Sequence, residues 1–566
     1  MIKARRHQKW KTQRHFNRYR EILSVLVRHG FGEFLDRSHL SHIKFRRNRT
    51  PAETDQVREH SKWMRIRFVL EDLGVTYIKF GQIMSNRPDI LPEELIRELE
   101  KLQSDVPPFS SEEALSILEE ELGQPLSGIF QEFSEEPLAS ASIAQVHAAR
   151  LVTGERVVVK IQRPYIEEII TTDIEIMHFF ASLLEKIVLR EAISATAVIK
   201  EFGQSLDREI DFTIEAANIE KFSLLYGGVH GLYVPNVYTA YTTRHVLVME
   251  RIDGIKVSDV RALLSSGCDP RKIALNGVRI VASQIFEQGF FHADPHPGNI
   301  FVLDQDVICF LDFGMMGVLL PRHREILVSM MIALFDRDER KLTRGLMELS
   351  TNRPAAATDA LEYEIFEIMD QYASRSVEMV NLGELVTRIL RIVIAYRIQM
   401  PPGFFLLTKT LITIEGVALR LSPDFRMVVE LEPVVRKMFL RSLRPDKILR
   451  ELGVLGYQTV SLLKNLPRDA GEIIEKVKSG RITLHVDSED LRPILRKTDQ
   501  ITARLSFSIV LASLVVGSSI VINARIPPLW NNMSLFGIIG FLGAGCIGFW
   551  LLISLLRGSK IHDKYK

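Results

Sequence analysis

The stretch from His292 to Gly314, HADPHPGNIFVLDQDVICFLDFG, restricts the fold of this chain more than any other part of its sequence. It holds two short apolar runs, Ile300–Leu303 and Val307–Leu311. The triplet Asp304-Gln305-Asp306 separates them, and this pattern predicts a β-hairpin with a turn at the triplet. The residues just outside the two runs are therefore expected to lie together at the open end of the hairpin.

Polar side chains with oxygen donors flank this hairpin. Asp294, Asn299 and Asp312 are expected to converge at one end of it, and oxygen ligands of this kind suit Mg²⁺ that is held together with substrate phosphates and water. The order of Asp, then Asn at the fifth position, then Asp-Phe-Gly also matches the catalytic and metal loops of protein kinases. In that chemistry Asp294 orients or deprotonates a hydroxyl, while Asn299 and Asp312 bind metal. The alternative is an ordinary hairpin whose polar side chains make only turn hydrogen bonds.

A second pattern lies upstream, where two extended runs surround the turn Thr153-Gly154-Glu155. The first run begins with the small residues Ala139–Ser142, and the second ends at Lys160. A small-residue turn lets backbone N–H groups approach phosphate, and a lysine at a strand end can bind phosphate as a point charge. This is the layout of a kinase nucleotide lobe, with alanine and serine where kinases use glycine. The residues predicted to bind nucleotide here are Leu138, Ala139, Ser140, Ala141, Ser142, Ile143, Ala144, Gln145, Val146 and Lys160.

Acidic residues lie between these two patterns. Ala195–Tyr226 is predicted to be a long helix, and it carries Glu209, Asp211 and Glu215. Asp211 and Glu215 are four residues apart and are expected to share a helix face. A carboxylate of this helix paired with Lys160 would reproduce the lysine–glutamate ion pair that positions phosphates in kinases. A solvated acidic face is the alternative.

The remaining soluble part of the chain gives weaker signals. His245–Gly254 is predicted to be the strand that leads into a hinge, with backbone groups at Met249 and Ile252 able to bond adenine. After Gly314 the helical spacing of apolar residues predicts a largely helical chain to about Gly480. Its predicted helices are Glu325–Phe335, Ala360–Tyr372, Leu382–Ile398 and Phe404–Ser422, the last with Glu415 as a candidate buried acid, and a short strand or linker follows at Ile482–Val486.

The N-terminal segments are helical and basic. Val57–Leu73 and the acidic run Glu93–Leu102 are predicted helices. Between them, Lys79 and Gln82 lie on an otherwise apolar turn, and Lys79 taken alone is expected to be a partly buried lysine with a structural partner. The basic segment Met1–Arg49 could contact nucleic acid or anionic lipid, or it could form a solvated or disordered arm.

Bulk properties exclude some classes of protein. The 566 residues exceed one ordinary core, and the formal net charge of +2 gives no general case for nucleic-acid binding. The three cysteines are widely separated, which predicts neither a disulfide framework nor a zinc site and fits a reducing compartment. No secretory signal pattern follows the basic start, so we expect the N-terminal region to stay in the cytoplasm.

The end of the chain is apolar. Leu505–Asn523 and Leu535–Leu556 are each about long enough to cross a hydrocarbon core of roughly 30 Å. Basic residues precede the first run and follow the second, so the positive-inside rule places both ends in the cytoplasm. A buried helical hairpin of a soluble domain is the alternative. Within the second run, Gly540, Ala544 and Gly548 form a small-residue ridge that could pack on the first span or on another protomer.

These motifs together resemble the UbiB-type atypical kinases, the family that contains the ADCK proteins and is linked to ubiquinone biosynthesis. The resemblance covers roughly Val57 to Asp424. The motifs that carry it are the KxGQ element Lys79-Phe-Gly-Gln82, the small-residue loop Ala139–Ser142, Lys160, the ExD pair Glu209 and Asp211, Glu215, the run His292–Asn299, and Asp312-Phe-Gly314.

The resemblance implies an α+β fold, namely a protein-kinase-like two-lobed fold with an N-terminal helical extension, a helical C-terminal region and two transmembrane helices. It implies that the extension covers the peptide site, and that Lys79 and Gln82 project toward the nucleotide pocket near Glu209 and Asp211. Glu215 becomes the expected partner of Lys160. The implied cofactors are ATP or ADP and Mg²⁺ or Mn²⁺, with Asp294 as proton acceptor.

The implied function is a membrane-anchored atypical kinase or ATPase that supports ubiquinone biosynthesis. Because Cβ atoms restrict how closely an alanine loop can approach phosphates, hydrolysis of ATP coupled to handling of polyprenyl quinone precursors is favoured over stable protein phosphorylation. A regulatory protein kinase and a non-catalytic, nucleotide-gated lipid-binding scaffold are the alternatives. Expected partners are membrane lipid, quinone precursors, other ubiquinone-biosynthesis enzymes and a second copy of the chain, and the expected location is the bacterial inner membrane with the catalytic domain in the cytoplasm.

The predicted domain order follows from these assignments. It comprises a basic arm over 1–56, a helical extension over 57–130, a kinase-like core over 131–350, a helical region over 351–500, and transmembrane helices over 505–523 and 535–556.

Overall fold

A computed structural model describes residues 2–32, 60–88, 90–102, 106–187, 194–352, 358–373, 381–442, 488–524, 527–530 and 533–559. The chain forms two compact units, Met1–Ile448 and Leu449–Lys566. The strand or linker predicted at Ile482–Val486 lies outside the described residues, as does much of the basic arm.

The N-terminal part of the first unit is helical. Its helices are α1 (Ile2–Arg28), α2 (Lys62–Leu73), α3 (Val75–Met84), α4 (Glu93–Leu99) and α5 (Ser111–Leu122). The Ser61 side chain caps α2 by accepting a hydrogen bond from Met64 N at 3.1 Å. Gly74, at φ +88°, separates α2 from α3, a backbone conformation that favours glycine. The predicted acidic helix is present as α4, but it ends at Leu99 rather than at the predicted Leu102.

Strands form two four-stranded sheets and a small pair in the same unit. They are β1 (Phe130–Ser140), β2 (Ala144–Leu151), β3 (Arg156–Gln162), β4 (Leu232–Tyr233), β5 (Val246–Glu250), β6 (Ile255–Lys256), β7 (Phe290–His292), β8 (Ile300–Leu303), β9 (Val307–Phe310) and β10 (Met316–Val318). The first sheet has the order β1-β2-β3-β5 and is antiparallel throughout. The second has the order β4-β9-β8-β6, and β7 pairs with β10.

The first sheet confirms the predicted turn at Thr153-Gly154-Glu155, which joins β2 to β3. Sequence analysis did not predict β1, whose polar, mostly exposed side chains show no regular alternation of apolar and polar residues. The predicted strand over His245–Gly254 is shorter, since β5 ends at Glu250 and the segment 251–254 connects it to β6 of the second sheet.

The prediction of one long helix over Ala195–Tyr226 is wrong. After α6 (Ile166–Ile187) come two helices, α7 (Ala195–Glu209) and α8 (Phe212–Tyr226). Asp211 lies between them with extended backbone, and its carboxylate accepts a hydrogen bond from Thr213 N at 3.0 Å. It is the N-cap of α8, a position that aspartate strongly favours. Asp211 therefore does not share a helix face with Glu215.

The predicted hairpin of the second sheet is confirmed. β8 and β9 are antiparallel in the register Ile300↔Phe310, and Asp304–Asp306 forms the turn. The helices that follow the sheets are α9 (Val260–Ser265), α10 (Pro270–Ala282), α11 (Pro321–Asp336), α12 (Glu339–Leu349), α13 (Thr358–Ala373), α14 (Leu382–Ala395), α15 (Pro402–Leu421) and α16 (Met427–Ser442). Apolar side chains of these helices and of the second sheet share one core, in which Phe222 contacts both Phe310 and Phe313.

Glu415 lies in α15, and its partner is the start of α14. Its two carboxylate oxygens accept hydrogen bonds from Leu382 N at 2.8 Å and Gly383 N at 2.6 Å. Free N–H groups at a helix start attract a carboxylate. Burial raises the pKa of Glu415, and the two N–H groups oppose that effect. This contact joins α14 and α15, the two helices that line one side of the candidate site.

The second unit contains two apolar helices, α17 (Ser488–Asn523) and α18 (Leu535–Ser559). Among the described residues, Ser506–Asn523 is the one segment long and apolar enough to cross a membrane, with a mean hydropathy of 1.9. Within the described residues, α18 contributes the shorter apolar segment Leu535–Gly548. Among the described residues, length and composition therefore support one crossing, and the prediction of a second is not confirmed.

The predicted small-residue ridge of α18 lies against α17. A Cβ atom added at Gly548 would lie 3.2 Å from Leu511, and one at Gly540 would collide with Ser518. Ala544 is buried in the same face. The ridge thus packs on the neighbouring helix of the same chain, the first of the two predicted roles.

Candidate functional site

Asn299 and Asp312 lie at the same end of the β8–β9 hairpin. The Asn299 carbonyl accepts a hydrogen bond from Leu311 N at 3.0 Å, which continues the strand pairing by one step. Asp312 follows directly, opens onto a cleft, and accepts a hydrogen bond from Gly314 N at 3.0 Å. The enclosing protein raises the pKa of Asp312, but the Lys160 charge and the Gly314 N–H outweigh this and leave the pKa below its usual value. Asp312 is therefore an anion that faces the cleft.

Lys160, in β3, pairs with Glu215 of α8. The Lys160 Nζ lies 2.7 Å from Glu215 Oε2, and the two side chains are 20% and 6% exposed. The pKa of Lys160 is shifted so as to favour its charged form, whereas the pKa of Glu215 is shifted so as to favour its neutral form. Burial lowers the pKa of Lys160, yet the Glu215 and Asp312 charges raise it overall, whereas burial raises the pKa of Glu215 despite the nearby ammonium. We take the pair as ionised, because the short contact is a charge-assisted hydrogen bond and Lys160 faces two carboxylates.

Lys79, in α3, pairs with Glu209 at the end of α7. Burial lowers the pKa of Lys79, but Glu209 and Asp312 raise it above its ordinary value. The Gln82 amide donates to the Leu102 carbonyl at 3.1 Å and also faces the cavity described below. The structure thus brings Lys79, Gln82 and Glu209 together. It does not bring Asp211 to them, because that carboxylate caps α8.

Gly81 lies between Phe80 and Gln82 in α3, and close packing explains its presence. A Cβ atom there would lie 2.9 Å from Leu70 Cδ1 and would collide with Leu102 Cδ1. We expect Gly81→Ala to lower the unfolding free energy by about 1–2 kcal/mol, since overpacking outweighs the gain in helix propensity. Thermal unfolding followed by circular dichroism in detergent measures this.

The matched control for that substitution is Gly416→Ala in α15. Gly416 is also in a helix, and among the described residues no atom beyond its own stretch of helix lies within 4 Å of an added Cβ. This change should leave the midpoint unchanged or raise it by the equivalent of up to about 1 kcal/mol. Equal midpoints for Gly81→Ala and wild type would contradict the packing explanation.

Asp294 follows β7 and is held from two sides. Asp294 N donates to His292 Nδ1 at 3.2 Å, and burial lowers the pKa of His292, so this imidazole is neutral. On the other side, Lys409 Nζ of α15 lies 3.2 Å from Asp294 Oδ1. The next residue, Thr410, is fully buried, and its hydroxyl lies 3.2 Å from the Ala293 carbonyl. Sequence reasoning missed both α15 residues, which are more than 100 positions away in the chain and belong to no local motif.

The predicted small-residue loop is the turn between β1 and β2. Its residues Ala141, Ser142 and Ile143 line the cleft. Arg163 fixes this turn, donating from Nε to the Ala141 carbonyl at 3.0 Å and from its backbone N to the Ile143 carbonyl at 2.9 Å. The turn is therefore held rigidly over the cleft that contains Lys160 and Asp312.

Other residues of the predicted nucleotide set lie on the flanking strands, within the described part of the chain. Ser140 bonds Arg163 and the Val106 carbonyl. Gln145 is fully buried and accepts a hydrogen bond from Phe109 N at 3.0 Å. Met249 lies in β5 and Ile252 in the connection after it. The residues of that set that are not among those lining the cleft are Leu138, Ala139, Ser140, Ala144, Gln145, Val146, Met249 and Ile252.

The site consists of two adjacent spaces that share lining residues. The inner cleft, of about 340 Å³, contains Lys160, Glu215, Asp312 and the β1–β2 turn. The outer cavity, of about 1260 Å³, lies among α3, α4, α14 and α15. Residues shared by both spaces are Lys79, Ile83, Asn86, Glu209, Asp294, Asn299, Met315 and Phe405. Asp294 and the Lys79–Glu209 pair therefore stand where the inner cleft meets the outer cavity.

The donors at the inner cleft fit a hard divalent cation. Asn299 and Asp312 supply oxygen atoms at one end of the hairpin, and Asp312 is ionised. Mg²⁺ typically takes one or two such protein ligands and completes its shell with phosphate oxygens and water. Lys160 and the β1–β2 turn lie in the same cleft and provide the positive and backbone groups that phosphates need.

Comparison with known proteins gives three family matches along the chain. A model described as the ABC1 atypical kinase-like domain matches residues 101–346. A UbiB helical domain matches residues 365–426, and an ABC1/UbiB kinase-like C-terminal domain matches residues 489–557. Lys160 and Asp312 lie in the first, and Lys409 lies in the second.

Individual relatives cover most of the chain. A Clostridium pasteurianum protein, described as "Uncharacterized protein in hydrogenase 1 5'region", is 32% identical over 96% of this chain and 99% of its own length. A "Probable protein kinase UbiB" of Marinobacter nauticus is 36% identical over 69% of this chain and 73% of its own. A Mycobacterium tuberculosis protein solved with erythromycin is 22% identical over 62% of this chain and 90% of its own, with a TM-score of 0.45. That TM-score is too low to support an inference.

Proposed function

The chain belongs to the UbiB family of atypical kinase-like proteins, and we propose that it hydrolyses Mg-ATP to handle polyprenyl quinone precursors in ubiquinone biosynthesis. A kinase-like domain indicates the use of ATP and a divalent metal in general. The observation that carries the more specific proposal is that Asp294 lines both the inner cleft and the outer cavity. The attacking group is then water or a hydroxyl that enters from that cavity.

In this reaction each residue of the inner cleft has a separate task. Lys160, held by Glu215, binds phosphate oxygens as a point charge. Asn299 and Asp312 would hold Mg²⁺, and a bound Mg²⁺ would supply positive charge to neutralise the phosphates. Asp294 accepts the proton of the attacking group. Lys79 and Glu209 close the boundary between the inner cleft and the outer cavity.

The lining of the outer cavity supports a neutral, largely apolar guest. Its apolar side chains come from all four surrounding helices and include Ile83, Ile96, Leu390, Ile394, Phe405 and Ile412. Its charged side chains mostly pair with each other. Glu93 accepts from Arg97 at 2.5 Å and from Arg391 at 3.3 Å, and the remaining contacts are Lys79 with Glu209 and Lys409 with Asp294. A molecule bound in this cavity would contact mostly apolar side chains and charged side chains that are already paired. This lining suits a prenylated ring better than a charged peptide.

Membrane attachment forms part of the same proposal. The segment Ser506–Asn523 meets the length and hydropathy needed for one crossing. Its large apolar side chains, such as Phe507 and Val510, are exposed in the second unit. A protein fixed to the bilayer in this way could receive a polyprenyl substrate directly from the membrane, with its catalytic unit on the cytoplasmic side.

Asp294→Asn tests the proposal. We expect the rate of phosphate release from Mg-ATP by the detergent-solubilised full chain to fall about 100-fold, because a general base typically contributes 10²–10⁴. Asp304→Asn, at the far, exposed end of the same hairpin, is the matched control and should keep the wild-type rate. Equal rates for Asp294→Asn and wild type would remove Asp294 from the mechanism.

Two further experiments separate the proposal from its two alternatives, and the first of them uses Asp294→Asn in cells. Quinone intermediates are profiled in a deletion strain that carries wild type or Asp294→Asn. Loss of ubiquinone with accumulation of a precursor supports the ATPase. Full rescue by Asp294→Asn would instead indicate a non-catalytic scaffold. Radiolabelled phosphate transferred to one protein in an Asp312-dependent manner would indicate a protein kinase.

A further inference from the structure

Helix α15 reaches into the reaction centre from the helical region. Lys409 Nζ lies 3.2 Å from Asp294 Oδ1, and the two side chains are 30% and 36% exposed. Lys409 lines the outer cavity but is not among the described residues that line the inner cleft. Its ammonium therefore contacts Asp294 from the side of the outer cavity, whereas Lys160 and Asp312 line the inner cleft.

The neighbouring residue fixes the backbone of the same loop. The Thr410 hydroxyl is fully buried and lies 3.3 Å from the His292 carbonyl, 3.2 Å from the Ala293 carbonyl and 2.9 Å from its own helical acceptor, Leu406. Two consecutive residues of α15 thus hold the segment before Asp294 and the carboxylate itself.

Stability alone does not account for the Lys409 contact. Partly exposed ion pairs typically contribute between nothing and about 1 kcal/mol, because the side-chain entropy lost offsets the attraction. A general base, in contrast, depends strongly on position, and a displacement of about 1 Å can cost a factor of about 100 in rate. The Lys409–Asp294 contact is therefore expected to affect the reaction rate far more than the stability of the fold.

We propose that Lys409 is a positioning residue of the reaction centre, which holds one oxygen of Asp294 so that the other faces the attacking group. The proposal rests on the proposed ATP hydrolysis. In that reaction the water oxygen bonds to the γ-phosphorus, the water proton passes to Asp294, and the β–γ bridging oxygen leaves with the electron pair of the broken P–O bond. Lys409 neither gains nor loses a proton.

Steady-state phosphate release with the full chain in detergent tests this role. Lys409→Met should lower kcat about tenfold while leaving KM for ATP within about twofold, since the residue does not line the inner cleft. Lys409→Arg keeps the charge and should recover at least half of the lost rate. Arg420→Met removes an exposed cation from the last turn of the same helix and should keep the wild-type kcat.

A double variant shows whether Lys409 acts through Asp294. Added to Asp294→Asn, Lys409→Met should cause no further loss, because two residues that act as one unit are not additive. Any of three results would overturn the inference. These are kcat losses that multiply in the double variant, an unchanged kcat in Lys409→Met, or a kcat loss that follows a lowered unfolding midpoint. A full loss in Asp294→Asn with none in Lys409→Met overturns only this inference, whereas equal rates for Asp294→Asn and wild type overturn the proposed function.

Discussion

Asp312→Asn is expected to reduce Mg²⁺-dependent ATP turnover by about a thousandfold. Asparagine keeps the shape of the side chain and its acceptor for Gly314 N, but it removes the one negative charge that the hairpin offers to a metal at this point. A bound metal that stabilises developing charge contributes several kcal/mol, and each 1.36 kcal/mol corresponds to about a factor of ten. The reduction therefore follows from lost charge rather than lost structure.

Stability distinguishes this outcome from unfolding. Neutralising Asp312 removes its repulsion of Glu215, but it also removes its attraction to Lys160 and Lys79, and the lowered pKa of Asp312 shows that the attractions outweigh the repulsion. The unfolding midpoint of Asp312→Asn should accordingly be equal to or slightly below that of wild type. Phosphate release is measured across a Mg²⁺ titration, with Asp304→Asn as the control. A wild-type Mg²⁺ dependence and kcat in Asp312→Asn would exclude Asp312 as a metal ligand.

The parts of the site that the sequence predicts are those encoded by neighbouring residues. Two short apolar runs around a turn triplet predict the β8–β9 hairpin, and that hairpin alone brings Asn299 and Asp312 together. Local periodicity is sufficient for these hairpin contacts. Lys160 lies near the end of the apolar strand β3, but Glu215 lies in α8, the third helix after it, and the family resemblance, not the spacing, implied that the two residues pair.

Other features depend on information that is spread over the chain. The break between α7 and α8 is marked by a single aspartate, and its capping role competed with the apolar periodicity on both sides of it. Asp211 therefore has the residue type of an active-site acid but serves as the N-cap of α8. Lys409 shows the other limit, because a lone lysine in an apolar helix carries no signal of its partner until α15 is packed against β7.

Lys160→Met is expected to abolish turnover and also to destabilise the first unit. The substitution leaves Glu215, whose side chain is 6% exposed, without its cation. Removing one partner of a buried ion pair typically costs 3–5 kcal/mol, and because Lys160 also borders the cleft, we expect the unfolding free energy to fall by about 3 kcal/mol. Chemical denaturation followed by circular dichroism measures the loss of stability, and phosphate release measures the loss of turnover.

The double substitution Lys160→Met with Glu215→Leu separates these two effects. Replacing both partners of a buried pair by apolar groups is often neutral or stabilising, so stability should return to within about 1 kcal/mol of wild type. Turnover should not return, because the refolded cleft still lacks the charge that meets the phosphates beside Asp312. If stability and turnover returned together, the pair would be a structural element of the sheet–helix contact and the phosphate site would have to lie elsewhere. Recovery of stability without recovery of turnover would indicate that the charge of Lys160 acts on the phosphates of the nucleotide.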